Sequence, residues 1–398
     1  MGSSIKSMGA SNGSTVDVAV IGGGIIGLAV AWRVRASGLT VTLLEREQVG
    51  CGASRVAAGM LAPVAEVEYG EHGRRLLDLA LRAAEMWPGF AAELERASGS
   101  QVGLMRTGTL MVAHDDDDAR ELERQLEFRS SLGLRATRLR ASQAREREPA
   151  LAPTVRLALE VPDDHSVDPR RVVSALRAAC QQAGVELRER IAVTGLSLDS
   201  QARRVTGVTV SDGETVGAHR VVVAAGAWSG ELDGLPAGAS VPVRPVKGQI
   251  MRLRDPAGPG LLSRAVRYPG GYLVPRPDGH YVLGGTMEER GFDSDSTALA
   301  TYELLRNAMQ VVPGVGELAV EELNVGFRPG TPDNVPFIGR SEIDGLIWAT
   351  GHYRNGILLA PLTAEMVAGE LTGEHAREEL LGTCDPARTA PSSQEALR

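Results

Sequence analysis

The sequence predicts an α/β fold: a Rossmann-type unit interleaved with a second, α+β unit built on a mostly antiparallel sheet. Three observations predict it. The glycines Gly22-x-Gly24-x-x-Gly27 sit between an apolar run and a helical pattern. Further apolar strand patterns recur far downstream, at 220–225 and at Leu346–Thr350. The stretch 241–285 breaks instead into short β-rich runs divided by turn residues, the pattern of an antiparallel sheet. Pieces of one sheet at the start, middle and end of the chain imply a discontinuous unit. The expected division is a disordered tail at 1–15, a cofactor unit at 16–80, 150–240 and 335–375, a substrate unit at 81–149 and 241–334, and a polar, frayed tail at 376–398.

Val16–Ile21 (VDVAVI) is a short apolar run, as expected of a buried parallel strand. A helical pattern covers Ile25–Ala36, Gly38 ends it, and 40–44 gives a second strand. This is a βαβ unit of about 30 residues. A long amphipathic helix is expected at 72–96, a strand at 103–113, and a helix opening on the four aspartates 115–118. Negative charge is favoured at a helix N-terminus, so the aspartates read as a helix start and no metal site is expected. Asp168-Pro169 opens a further helix that ends near Gly184. Strands follow at 185–198, 204–210 and 220–225, then helices at 297–311 and 357–371, the last after Arg354-Asn355-Gly356.

Composition narrows the function. Of 398 residues, 43% are apolar and 23% charged, as in soluble globular proteins. A formal net charge of −8 lacks the basic excess of a nucleic-acid binder, so no nucleic-acid partner is expected. Cys51, Cys180 and Cys384 form neither a CxxC pair nor a zinc pattern, which fits a reduced, cytoplasmic setting. No apolar run reaches the roughly 18 residues that span a bilayer. The Gly/Ser-rich N-terminus has no apolar h-region, so neither signal peptide nor membrane anchor is expected.

The fingerprint has a physical purpose. Gly22 permits a tight turn, Gly24 lets the backbone approach a pyrophosphate, and Gly27 lets the helix pack on the sheet. The helix N-terminus then offers free N–H groups to phosphate. Glu45 follows Gly27 by 18 residues, where a carboxylate accepts from ribose hydroxyls. These residues indicate a dinucleotide and leave FAD and NAD open. The small residues of 50–60 (GCGASRVAAGM) and the strand-then-glycine pattern 220–228, with Gly226 at its turn, lean towards FAD.

Six stretches go further: AAGMLAP (57–63), VKGQI (246–250), GYLVPRPDG (271–279), GGTMEE (284–289), GFRPGTPDNVPFIG (326–339) and GHYRNGILLAP (351–361). With them the chain resembles the D-amino-acid oxidase family of flavoproteins over 16–371. The resemblance implies FAD contacts at the Ile25 and Ile26 N–H groups, at Glu45 and Arg46 near the adenosine, and at Ala53 and Ser54 near the pyrophosphate. It places Ala58, Gly59 and Met60 beside the flavin ring and Val193 over the adenine. His352, Tyr353, Arg354, Asn355, Gly356, Ile357 and Leu358 should line the pyrimidine edge, where a helix N-terminus stabilises charge on reduced flavin. Arg328 matches the family's carboxylate-binding arginine. Tyr272 matches a tyrosine that reaches the same carboxylate, Arg354 a further substrate-side residue, and Met287 and Met60 pocket walls. No cysteine is at the family's covalent linkage position, which implies non-covalent FAD. Gly270 stands where close relatives can carry a histidine.

The implied activity is oxidative deamination of glycine, sarcosine and small D-amino acids to the imine or glyoxylate. Oxygen would be the acceptor and hydrogen peroxide a product, with the imine feeding thiazole synthesis for thiamine. A homotetramer is implied as well. The alternatives are a D-amino-acid or sarcosine dehydrogenase with a non-oxygen acceptor, the flavin half of a tRNA-modifying enzyme, and a non-catalytic flavoprotein.

Overall fold

The structure is a computed structural model that describes residues 15–236, 239–373 and 378–389. The chain runs through β1 (Val16–Ile21), α1 (Ile25–Ala36), β2 (Val41–Glu45), α2 (Ala53–Val56), β3 (Met60–Leu61), α3 (Glu71–Ser98) and β4 (Thr109–Ala113). It continues through α4 (Asp116–Ser131), β5 (Thr137–Arg140), α5 (Ala141–Arg147), β6 (Leu157–Val161), β7 (His165–Ser166) and α6 (Pro169–Ala183). Then come β8 (Glu186–Glu189), β9 (Val193–Leu198), β10 (Val205–Val210), β11 (Thr215–Val223), β12 (Arg244–Arg254), β13 (Ala265–Tyr268), β14 (Gly271–Pro275) and β15 (His280–Gly284). The chain closes with α7 (Ala298–Val311), β16 (Ala319–Gly330), β17 (Phe337–Arg340), β18 (Leu346–Thr350), α8 (Gly356–Thr372) and α9 (Glu378–Cys384).

The first sheet has the order β17-β18-β11-β1-β2-β8, with β10 and β9 joined beside β11. Its centre is parallel: β1 pairs in parallel with both β2 and β11, and β11 with β18. The apolar run of β1 is buried on both faces. Val18 and Val20 pack with α1, α3, α6 and α8, while Ala19 and Ile21 pack under β9 and β10. Each fully buried aliphatic side chain of this kind contributes about 1.5–3 kcal/mol of transfer free energy. The indole N–H of Trp87 on α3 ties the two outer helices together by donating to the Leu358 carbonyl, 2.9 Å away.

The second sheet has the order β16-β12-β15-β14-β13-β4-β6-β5. It is antiparallel except where β13 meets β4. α7 packs against it on strands β12, β14 and β15.

Local signals place the helix starts. Asp168 accepts from the Arg170 and Arg171 N–H groups at 3.0 and 3.4 Å, with Pro169 beginning the helix proper. Asp115 accepts from the Asp118 N–H at 2.9 Å, so the aspartate run opens α4.

Several expectations need correction. The strand expected over 103–113 is confined to Thr109–Ala113, because Gly103 and Gly108 turn the chain in left-handed conformations. The stretch 185–198 is two strands, broken where Arg190 takes a φ of 60°. β6 falls in the span assigned to the cofactor unit, yet it pairs with β4 and β5 in the second sheet. The tail expected to be frayed from 376 onward forms α9 and a following turn. It is latched by Arg388, which lies over the Phe337 ring at 3.9 Å and pairs with Asp333 at 3.0 Å, and Cys384 is buried. Of the expected tails, 1–14, 376–377 and 390–398 lie outside the described residues. Among the described residues, no helix is long and apolar enough to cross a membrane.

The glycine turn generates a first prediction. A Cβ on Gly27 would collide with the Gly22 carbonyl oxygen, and Gly22 itself holds a φ of 105°. Gly27→Ala is expected to destabilise the protein by about 1–3 kcal/mol and to lower flavin retention. Urea unfolding together with flavin absorbance per protein checks this, and wild-type values of both would overturn it.

Candidate active site and cofactor cleft

One cleft of about 1300 Å³ runs from the glycine turn to the inner face of the second sheet. That exceeds the roughly 300–1,000 Å³ of an ordinary small-molecule pocket, leaving room for a dinucleotide and a substrate.

At the nucleotide end the Gly22 turn packs on β11, where a Cβ would lie 2.5 Å from the Ala224 oxygen. Gly24 caps α1 with no side-chain hydrogen bond. The Ile25 N–H donates to Ser54 Oγ at 2.9 Å. The Glu45 carboxylate accepts from the Gly23 and Glu47 N–H groups at 2.6 and 2.9 Å. An ionised carboxylate has about four acceptor sites, so these two bonds leave capacity for ribose hydroxyls. Arg46 lies 3.6 Å over the ring of Trp228, which stacks on Phe292 and meets Phe327 edge-on. Sequence reasoning named Arg46 but missed this aromatic stack, whose members come from three distant segments.

The loop beside the expected flavin position is held from the second sheet. Buried Arg276 donates to the Ala58 carbonyl at 2.6 Å, and Arg252 to the Arg55 carbonyl at 2.9 Å. Burial holds Arg252 down to about 10.

The second sheet presents one face to the cleft. Residues paired across neighbouring strands point to the same side, and the register Arg267↔Tyr272↔Gly284↔Ile250 defines such a row. Arg328 pairs with Val246 and lays its guanidinium over Gly248, where a Cβ would collide with it. Its Nη1 donates to the Thr286 carbonyl at 2.9 Å. A Cβ built on Gly285 would lie 3.1 Å from Tyr272 Oη and 3.4 Å from Arg328 Nη2, so phenol and guanidinium converge on one spot.

On the opposite face, fully buried Lys247 donates to Asp293 at 2.8 Å and to the Asp295 carbonyl at 2.6 Å. Gln249 bonds Glu288 at 2.8 Å and accepts from the Thr297 N–H at 2.8 Å. These bonds pin the segment that carries Met287, which is 60% exposed and whose sulfur accepts from Tyr353 Oη at 3.2 Å.

The third wall is the start of α8. Asn355 caps it with no side-chain hydrogen bond, so a second helix N-terminus opens on the same cleft. Tyr353 holds a φ of 46°, fixed by its N–H donating to the Pro329 carbonyl at 2.9 Å. His352 is buried, with Nε2 2.9 Å from Thr363 Oγ1. Arg354 pairs with Glu66, and so does Arg267. The Glu66 segment is rigidly placed. Asp164 accepts from the Val64 and Ala65 N–H groups at 3.0 and 2.6 Å, and Arg129 donates to both of their carbonyls at 3.0 Å. Burial pushes the Asp164 carboxyl up to about 7. Nothing in the sequence singled out Glu66 or Arg267, because only the fold joins them.

The cleft thus gathers Gly22, Gly24, Ile25, Ile26, Glu45, Arg46, Ala53, Ser54, Ala58, Gly59, Met60, Val193 and Gly226 at one end. Tyr272, Met287, Arg328, His352, Tyr353, Arg354, Asn355, Gly356 and Ile357 line the other. Gly27 and Leu358 are not part of its lining. Gly27 packs α1 on the Gly22 turn, and the Leu358 side chain is buried in the helical core. Two helix N-termini with no side-chain cap and the Glu45 carboxylate, all on one long cleft, fit a dinucleotide whose two charged regions lie far apart.

The match to known proteins agrees. Residues 17–370 match the family model described as FAD dependent oxidoreductase. The chain belongs to this family. It is therefore an FAD-dependent oxidoreductase with a Rossmann-type cofactor unit. The bifunctional protein ThiO/ThiG of Synechocystis sp. is 39% identical over 89% of this chain and 51% of its own length. The chain spans about half the length of the bifunctional relatives it matches, 51 to 54%. The glycine oxidase of Pseudomonas aeruginosa is 34% identical over 95% of this chain and 99% of its own. The crystal structure of glycine oxidase from Geobacillus kaustophilus superposes with a TM-score of 0.86, at 33% identity over 94% of this chain and 99% of that one.

His352 generates a pH prediction. Burial lowers its pKa from 6.5 to about 3, so it stays neutral in the folded protein where the unfolded chain takes up a proton. The unfolded state binds more protons between those values, so stability present above 6.5 is lost as pH falls through 6.5 towards 3. His352→Gln keeps a partner for Thr363 and removes the titration. Its stability should fall with acid less steeply than the wild type, by up to about 1.4 kcal/mol per pH unit. Urea unfolding across that range checks this, and parallel curves would refute it.

Proposed function

We propose that this enzyme is an oxidase of small amino acids acting foremost on glycine, with sarcosine and small D-amino acids as further substrates. Glycine, oxygen and water give glyoxylate, ammonia and hydrogen peroxide, and the imine formed on the way supplies thiazole synthesis for thiamine. The observation that carries this reading is the convergence of Arg328 and Tyr272 beside Gly285. A guanidinium meets a carboxylate through two parallel hydrogen bonds, fixing its orientation as well as its charge. The relatives named glycine oxidase support the choice of substrate.

FAD, when bound, supplies the acceptor for the hydride leaving the substrate Cα. The chain's own residues supply positioning. Arg328 holds the substrate carboxylate and Tyr272 donates to it. The pinned 285–297 segment keeps Met287 at the rim. The α8 N-terminus provides fixed positive potential where negative charge grows on reduction. No side chain acts as a base on carbon. Non-covalent FAD, a homotetramer and a cytoplasmic setting belong to the same proposal, each resting on the family resemblance.

Anaerobic mixing of the holoenzyme with glycine, sarcosine, D-alanine and D-proline should bleach the flavin, fastest with glycine. Under air, one peroxide should form per substrate consumed. Failure of every amino acid to bleach the flavin would sink the proposal, and bleaching without peroxide would make the enzyme a dehydrogenase. Arg328→Ala should raise the KM for glycine about 100-fold, in line with losing charge-assisted hydrogen bonds, while the flavin spectrum persists. Unchanged kinetics would remove Arg328 from the clamp.

A further inference from the structure

We propose that Arg267, Arg354 and Glu66 form a second anion subsite beside Tyr272, which admits amine substrates carrying a second acidic group. N-carboxymethyl amino acids are the simplest of that class. The inference rests on the reading of the cleft as an amine-oxidising site.

Position comes first. Arg267 is the cross-strand neighbour of Tyr272, so both side chains stand on the sheet face that also carries Arg328. In the strand order, β14 with Tyr272 lies between β13 with Arg267 and β16 with Arg328. Arg328 reaches Tyr272 from one side and Arg267 adjoins it on the other. Arg354 enters from the loop before α8, and Glu66 contacts both guanidinium groups. All four charged residues line the one cleft.

Charge comes second. Two guanidinium groups share one carboxylate, that of Glu66. The two arginines present ten N–H donors, far more than one carboxylate can accept. Two further acids of the cleft wall are engaged elsewhere. Asp118 bonds His114 at 2.6 Å, and Glu121 bonds Gln125 at 3.1 Å and pairs with Arg124. The cluster itself holds two guanidinium groups and one carboxylate in a partly buried place, with side-chain exposures of 25% for Arg267 and 24% for Arg354. Burial first, then the charge of Arg354, hold Arg267 down to about 9.

Glu66 sets how much of that charge a substrate meets. Asp164 and Arg129 clamp the backbone of Val64 and Ala65, which fixes where the Glu66 side chain leaves the chain. The arginines turn the donors that Glu66 leaves unused to the ligand. The chemistry is unchanged from the proposed activity: iminodiacetate, oxygen and water give glycine, glyoxylate and hydrogen peroxide. The C–N bond breaks at the oxidised arm, and oxygen takes up the electron pair and two protons.

The test compares ligands of equal shape and different charge on the holoenzyme. Iminodiacetate is set against its monoamide for kcat/KM. Diglycolate, which has no amine to oxidise, is set against its monoamide for Kd by titration calorimetry. The dianion should lead by at least about tenfold in each pair, the effect of one charge-assisted contact. Arg267→Met should bring both ratios to about one, Arg267→Lys should retain part of the preference, and Glu66→Gln should enlarge it. Ratios of one or less in the wild type would overturn the subsite, whatever the variants do. Because diglycolate binding needs no turnover, it judges the subsite even if glycine fails to bleach the flavin, so the two proposals fall separately.

Discussion

A guanidinium can lie flat on a β-sheet only where the strand beneath it carries no side chain, and the cleft face of the second sheet depends on that condition. At Gly248 a Cβ would occupy the place of the Arg328 guanidinium, and at Gly284 a Cβ would lie 2.6 Å from Tyr272 Oη. These bare positions let two polar groups approach the backbone and meet beside Gly285. The alternation of the strand then serves both sheet faces. In VKGQI, Gly248 and Ile250 face the cleft, while Lys247 and Gln249 face away and fasten the 285–297 segment. One short strand thus clears the floor and fixes the rim.

The cleft is also organised by where positive charge is left and where it is consumed. Arg252 and Arg276 are buried, and removing them from water is costly. Their hydrogen bonds to the Arg55 and Ala58 carbonyls offset part of that cost and hold the 55–58 segment against the second sheet. The helix N-termini of α1 and α8 act differently: their potential is fixed by the backbone and does not titrate. Positive potential at both ends of the long cleft therefore comes partly from the backbone, without a charged side chain at either helix start.

The sequence was most legible where the physics is local. The β1 run, the three glycines and the length of α1 follow from neighbouring residues, and α1 has the expected bounds Ile25–Ala36. β16 escaped notice because its twelve residues are half-exposed and end in Pro329-Gly330, so they show no clean alternation. The C-terminal latch escaped for a related reason: Arg388 and Phe337 meet only after folding. Arg328 and Tyr272 could be singled out only through the family resemblance, since a lone arginine and a strand tyrosine have many ordinary uses. Glu66 and Arg267 belong to no motif. Their pairing depends on the register of β13 with β14 and on the Asp164 clamp, neither of which a linear pattern encodes.

The aromatic stack at the nucleotide end has an optical consequence. Of the four tryptophans, Trp32, Trp87 and Trp348 are buried in the core, whereas Trp228 is part-exposed on the cleft wall between Arg46 and Phe292. Its indole therefore sits where filling of the cleft alters its surroundings. The protein carries a built-in fluorophore at the junction of its two sheets, and its emission can follow cleft assembly in real time without an added label.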